Sequence, residues 1–112
     1  MTTTPTISFD DFKNADIRVG TVLVAEHVPE TDKLLRLEVD FAEDNHRQIV
    51  SGIAEYLAPE DIIGRQLLFV VNLEPRVIRG LVSNGMLLAV GEGDTFSVLV
   101  PAKKVASGSR VR

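Results

Sequence analysis

The chain contains no cysteine. That excludes a disulfide framework, a thiolate metal site and a cysteine nucleophile. Its two histidines, His27 and His46, cannot by themselves fill a three- or four-ligand zinc site. There is no tryptophan, and aromatics make up only 5% of the residues. No apolar run approaches bilayer length: the longest, Leu67 to Val71 and Met86 to Val90, are far too short. The start, Met1 to Ser8, lacks the basic region and apolar core of a secretory signal. Repeats and low-complexity tracts are missing as well. What remains is a chain of 112 residues, 45% hydrophobic and 25% charged, which suits one soluble cytoplasmic domain with a single core and no membrane partner.

Catalytic signatures are also lacking. None of the serines (Ser8, Ser51, Ser83, Ser97, Ser107 and Ser109) lies in a G-x-S-x-G elbow, and no phosphate-cradling G-x-x-x-x-G-K occurs. His27 and His46 fall in or beside turns, with no partner that marks either as a base. The acidic pairs Asp10-Asp11, Glu43-Asp44 and Glu60-Asp61 have the placement of turn and helix-start residues. The expectation is a binding domain, not an enzyme, with no catalytic residue, no metal and no cofactor.

The net charge of −4 argues against indiscriminate nucleic-acid binding, but it is unevenly spread. Residues 1–44 carry −6 and residues 45–112 carry +2. The later bases are Arg47, Arg65, Arg76, Arg79, Lys103, Lys104, Arg110 and Arg112. Screening confines the relevant field to about 10 Å, so a local basic surface can bind phosphates on an acidic protein.

Met1 to Ser8 reads as a mobile end ahead of one domain over residues 9–112. Ser8 can cap a short helix through Phe9 to Asn14. Ile17, Val19, Thr21, Leu23 and Ala25 share one parity and predict a strand buried on that face. Leu35, Leu37, Val39 and Phe41 predict a second, and Arg47 to Ser51 a third after a turn at Glu43-Asp44-Asn45. Ile53 to Ile63 predicts a short helical connection, with Pro59 starting its second turn and Gly64 ending it. Leu67 to Val71 and Met86 to Val90 read as strands buried on both sides or as barrel strands next to another chain, and Phe96 to Val100 as the last strand. Five strands with a short helix between the third and fourth fit an all-β, oligonucleotide-binding (OB-fold) barrel with N- and C-terminal extensions. That architecture hosts many functions.

Four stretches carry a resemblance: Asp16 to Gly20, His27 to Leu34, Arg47 to Gly52, and Asn72 to Gly80 running into Ser83-Asn84-Gly85-Met86. In this order and spacing they resemble the structure-specific tRNA-binding domain of bacterial methionyl-tRNA synthetase, where it is C-terminal, and of small stand-alone tRNA-binding proteins. The resemblance runs from Phe9 to the C-terminus. It implies a homodimer of OB barrels that grips the bent shape of tRNA without reading an anticodon. The setting is either a free protein or the synthetase's own C-terminal domain. The Phe9/Phe12 segment and the C-terminal third are the expected dimer elements.

The residues then acquire expected roles. Lys33, Arg47 and Arg79 are candidate phosphate ligands. Ser51 and Ser83 sit beside or near glycines, where a small hydroxyl can meet a phosphate or a 2′-hydroxyl. Asn72 offers an amide, and Met86 a flexible apolar contact. Two residues depart from the family pattern: Thr31 stands where Ala is common, and Glu74 where Lys is common. Arg76 is the base placed to compensate Glu74. Few rings remain for stacking once Phe41 and Phe69 are assigned to the core, which favours recognition of folded RNA by shape and backbone. The competing readings are a dimerisation or protein-docking module with little RNA affinity, and a chaperone-like relative of the same superfamily.

Overall fold

The computed structural model describes residues 3–112; of the expected mobile end, Met1 and Thr2 lie outside the described residues. Helix α1 (Phe9–Lys13) is capped by Ser8, whose Oγ accepts from the Asp11 N–H at 3.0 Å. It buries none of its residues. The barrel follows: β1 (Ile17–His27), β2 (Leu35–Asp40), β3 (Arg47–Ser51), β4 (Gln66–Val70) and, after a hairpin of β5 (Arg76–Ile78) and β6 (Leu81–Ser83), β7 (Met86–Leu87). The antiparallel order is β3-β2-β1-β4-β7. A last hairpin pairs β8 (Ala89–Val90) with β9 (Ser97–Val98).

β1 is long because it serves several partners. Ile17 to Thr21 pair with β4, and Thr21 to His27 pair with β2. The C-terminal segment covers the remaining edge: Gly108 N–H bonds the Val19 carbonyl at 2.7 Å, and Val111 N–H the Ile17 carbonyl at 2.8 Å. No β1 edge is left open there. The expected single parity of β1 fails at its middle. A register shift between Val22 and Val24 changes the inward face, so Val22 and Ala25, of opposite parity, both reach the core and Leu23 is exposed. One added residue in a strand turns all later side chains over, and a period-two count does not detect it.

β2 alternates as its sequence predicts, with Leu35, Leu37 and Val39 wholly buried. Phe41 meets Phe69 edge-to-face at 5.3 Å between ring centres. The core joins these to Ile49, Ile53, Ile62 and Leu67. The connection after β3 is less helical than expected: a turn at residues 54–56, then a single 3₁₀ turn, Pro59–Asp61. β4 is buried on alternate residues rather than on both sides. Met86 to Val90 departs further. Leu88 splits it into β7 and β8, donating to the Leu68 carbonyl and accepting from the Leu99 N–H, and Met86 and Val90 face outwards. The last strand is only Ser97–Val98.

Gly20 shows how tightly the barrel wraps. A Cβ there would lie 2.5 Å from Val39 Cγ1 and 2.6 Å from the Phe41 ring, both in the core. We expect G20A to lower stability by roughly 1–3 kcal/mol through overpacking, read as a shifted urea midpoint.

Candidate nucleic-acid interface

The barrel closes where β3 meets the segment leading into β7. β7 has two residues and pairs only with β4, so side chains complete the seam. Ser83 Oγ accepts from the Val50 N–H at 2.9 Å. Asn84 N–H donates to the Gln48 carbonyl at 2.8 Å, and Gln48 Nε2 to the Val82 carbonyl at 2.9 Å. These bonds hold the β5–β6 hairpin beside the barrel mouth. Its two-residue loop is Arg79-Gly80, with φ of 53° and 78°, the left-handed pair of a type I′ turn. The hairpin was missed as an element in the sequence, although its signal is there: a residue pair ending in Gly between Val77-Ile78 and Leu81-Val82.

Four sequence candidates line one small groove at this seam. Ser51 comes from β3, Arg76 from β5, Ser83 from the end of β6 and Met86 from the start of β7, with Glu74 in the same lining. Met86 is 46% exposed, so it is not a core residue. Lys33 and Arg79 share a neighbouring groove formed by the β1–β2 loop and the hairpin tip. Among the described residues, Lys33, Arg76 and Arg79 are exposed and have no carboxylate within ion-pair distance.

Three candidates, Ser83 again among them, bond structural partners. Arg47 forks onto Glu43, at 2.8 and 2.9 Å, and donates to the Val71 carbonyl at 2.7 Å. Its guanidinium lies 5.6 Å from the Phe41 ring centre. Asn72 uses both ends of its amide: Oδ1 accepts from the Asp16 N–H at 2.9 Å, and Nδ2 donates to the Asn14 carbonyl at 2.6 Å. It thereby pins the end of β4 to the start of β1. Ser83 is 4% exposed, with its hydroxyl in the seam. Nothing in the sequence distinguishes an Asn or Ser that bonds its own backbone from one that offers itself to RNA.

The hydrogen bond from Arg47 holds the Glu43 carboxyl below its ordinary value of 4.5, and the same pair raises the guanidinium. A carboxyl lowered on folding stabilises the protein above its unfolded value and loses that contribution as the pH falls through the folded one. On the outer face of the sheet, Arg36 bonds Glu26 at 2.7 Å and Glu38 at 3.0 Å. With Glu43 and Asp16, four of the acids in the negative first part therefore have a cation beside them.

The family described as putative tRNA binding domain matches residues 17–110. The chain belongs to that family. It is 45% identical over 111 residues to a methionine–tRNA ligase of Methanosarcina mazei and 51% over 108 residues to one of Methanothrix thermoacetophila. These alignments cover 98% and 96% of the chain but 16% of each relative, so the chain spans about a sixth of their length. Among solved structures, a MetRS-related protein from Pyrococcus horikoshii superposes with a TM-score of 0.89 at 35% identity, covering 97% of this chain and all of that one. Chaperone CsaA from Bacillus anthracis superposes at 0.84 with 34% identity, covering 96% and 100%. Likeness over whole chains at this identity extends to the fold.

Two outcomes check this division between inward and outward residues. R47Q should lower stability by about 1.5–3 kcal/mol, the range for hydrogen bonds to a charged group, and leave the salt dependence of any RNA binding unchanged. E43Q should unfold at lower urea than the parent at pH 7, and the difference should close as the pH falls below the Glu43 value.

Proposed function

We propose that this domain binds folded tRNA through the face formed by Lys33, Ser51, Arg76, Arg79 and Met86, without catalysing a reaction. The observation that carries the reading is the convergence of these five residues, distant in sequence, beside one seam and one hairpin tip. Family membership supplies the ligand class. The chemistry suits a backbone and shape reader: exposed cations for phosphates, a small hydroxyl, and a flexible apolar side chain for a sugar or base. Ring stacking plays little part, since Phe41 and Phe69 are core and Tyr56 stacks on Phe96 at 4.4 Å. Arg47, Asn72 and Ser83 support this face from within.

The setting we favour is protein synthesis in the cytoplasm, with methionyl-tRNA synthetase as the partner or parent chain. The domain would then raise the local concentration of tRNA at the enzyme. Among the described residues no helix is long and apolar enough to cross a membrane. A homodimer fits the exposed apolar side chains at the N-terminal end, where Ile7 is 66% and Phe9 70% exposed. A second copy of the chain is the occupant we assign to them. The chaperone-like reading keeps one specific support, the exposed cross-strand pair Val77 and Val82 on the hairpin. Three acids are set against RNA on this face: Glu74 in the same groove as Arg76, and Glu30 and Asp32 in the groove of Lys33 and Arg79.

The test is a titration of labelled tRNA at low and near-physiological salt, with an RNA duplex as competitor. Binding should be saturable, prefer tRNA and weaken with salt. K33Q and R79Q should each weaken it and reduce the log–log salt slope by about 0.7–0.9, one phosphate contact apiece. E74K should tighten it. No binding at low salt would refute the reading.

A further inference from the structure

A second group of cations lies away from this face. Arg65, Lys103 and Lys104 border an open groove of about 640 Å³, whose lining also includes Thr21, Gln66 and Ser107. No acidic residue contributes to that lining among the described residues. All three cations are exposed, and none has a carboxylate within ion-pair distance among the described residues.

The backbone that carries them is held firmly. Arg65 accepts at its carbonyl from the Val22 N–H at 3.0 Å and donates its N–H to Ile62 at 3.0 Å. Gln66 clamps the C-terminal strap with both ends of its amide. Its Nε2 donates to the Val105 carbonyl at 2.6 Å, and its Oε1 accepts from the Val105 N–H at 3.0 Å. Thr21 and Ser107 share a hydroxyl hydrogen bond of 2.7 Å beside the clamp. The strap that presents Lys103 and Lys104 is therefore fixed to the β1–β4 junction by three side chains, Gln66, Thr21 and Ser107.

Position separates this groove from the first. In the order β3-β2-β1-β4-β7, the β1–β4 junction lies across the barrel from the β3–β7 seam. Along β4 itself, Gln66 is four residues from Val70, which pairs with Met86. That is about 13 Å at strand rise, longer than the screening distance of about 8–10 Å. The two groups of cations thus act as separate electrostatic sites.

We infer that the Arg65/Lys103/Lys104 groove is a second binding site for RNA phosphodiester backbone. The inference rests on the tRNA-binding reading and extends it to a surface that the first site does not include. Three exposed cations, without a carboxylate partner among the described residues, match a run of phosphates better than they match an apolar or cationic ligand. The consequence is a footprint on two sides of the barrel, with part of the salt dependence carried far from the hairpin.

The experiment compares the parent with R65Q/K103Q/K104Q in tRNA titrations across a salt series. Two doubles separate site from bulk charge: K103Q/K104Q in the groove, and K13Q/R112Q outside it with the same charge change. Thermal unfolding checks that each variant is folded, and R65K/K103R/K104R keeps the charges. The triple glutamine variant should bind more weakly at low salt, with its slope reduced by about 2–3. The groove double should exceed its charge-matched control, and the conservative triple should bind as the parent does. A groove double no weaker than the control, with the parent binding normally, overturns the second site alone. Failure of the parent to bind tRNA overturns both sites together.

Discussion

The closure of the barrel depends on a hydroxyl. A sheet whose last strand has two residues cannot complete its ladder, and the Val50 N–H would be buried without a partner beside it. An unpaired buried amide costs about 1–3 kcal/mol. Ser83 accepts that proton, and Gln48 and Asn84 add bonds on either side. The same three contacts fix the angle of the hairpin. The positions of Arg76, Arg79 and Met86 relative to Ser51 and Lys33 follow from it, so fold and interface share one seam.

Around that seam, polar residues divide by direction. Arg47, Asn72 and Ser83 use their hydrogen bonds to join segments distant in the chain. Lys33, Arg76 and Arg79 have no such bonds and carry unpaired charge at the surface. An acidic chain can therefore present local positive potential. Four of its acids are paired elsewhere, Glu26 and Glu38 with Arg36, Glu43 with Arg47 and Asp16 with Arg18 and Arg110, while among the described residues Lys33, Arg76 and Arg79 are not. Three acids interrupt the positive face: Glu30 and Asp32 line the groove of Lys33 and Arg79, and Glu74 lines the groove of Arg76.

The sequence made the barrel readable because its core strands obey period two where it matters most, in Leu35, Leu37, Val39 and Phe41. Reading failed where geometry is set by a single backbone departure. The shift at Val22 to Val24 reversed the expected face of Leu23, and the bend at Leu88 divided one apolar run into two strands with outward ends. The β5–β6 hairpin was hidden because its apolar residues are exposed rather than buried, so they mimic neither a core strand nor a loop. For the interface, residue type indicated which groups could meet a phosphate. Only the fold separated those facing out from Asn72 and Ser83, whose bonding partners are up to 58 residues away in the chain.

The central claim is that folded RNA meets the hairpin side of the seam. The most direct measurement is the set of backbone amide resonances perturbed when tRNA is added to isotope-labelled protein at low salt. The account predicts changes at Lys33, Ser51, Met86 and residues 76–80, with the Val50 amide, bonded to Ser83, and the Asp16 amide, bonded to Asn72, left unperturbed. A footprint that spares the hairpin and falls only on helix α1 or the β8–β9 hairpin would contradict it.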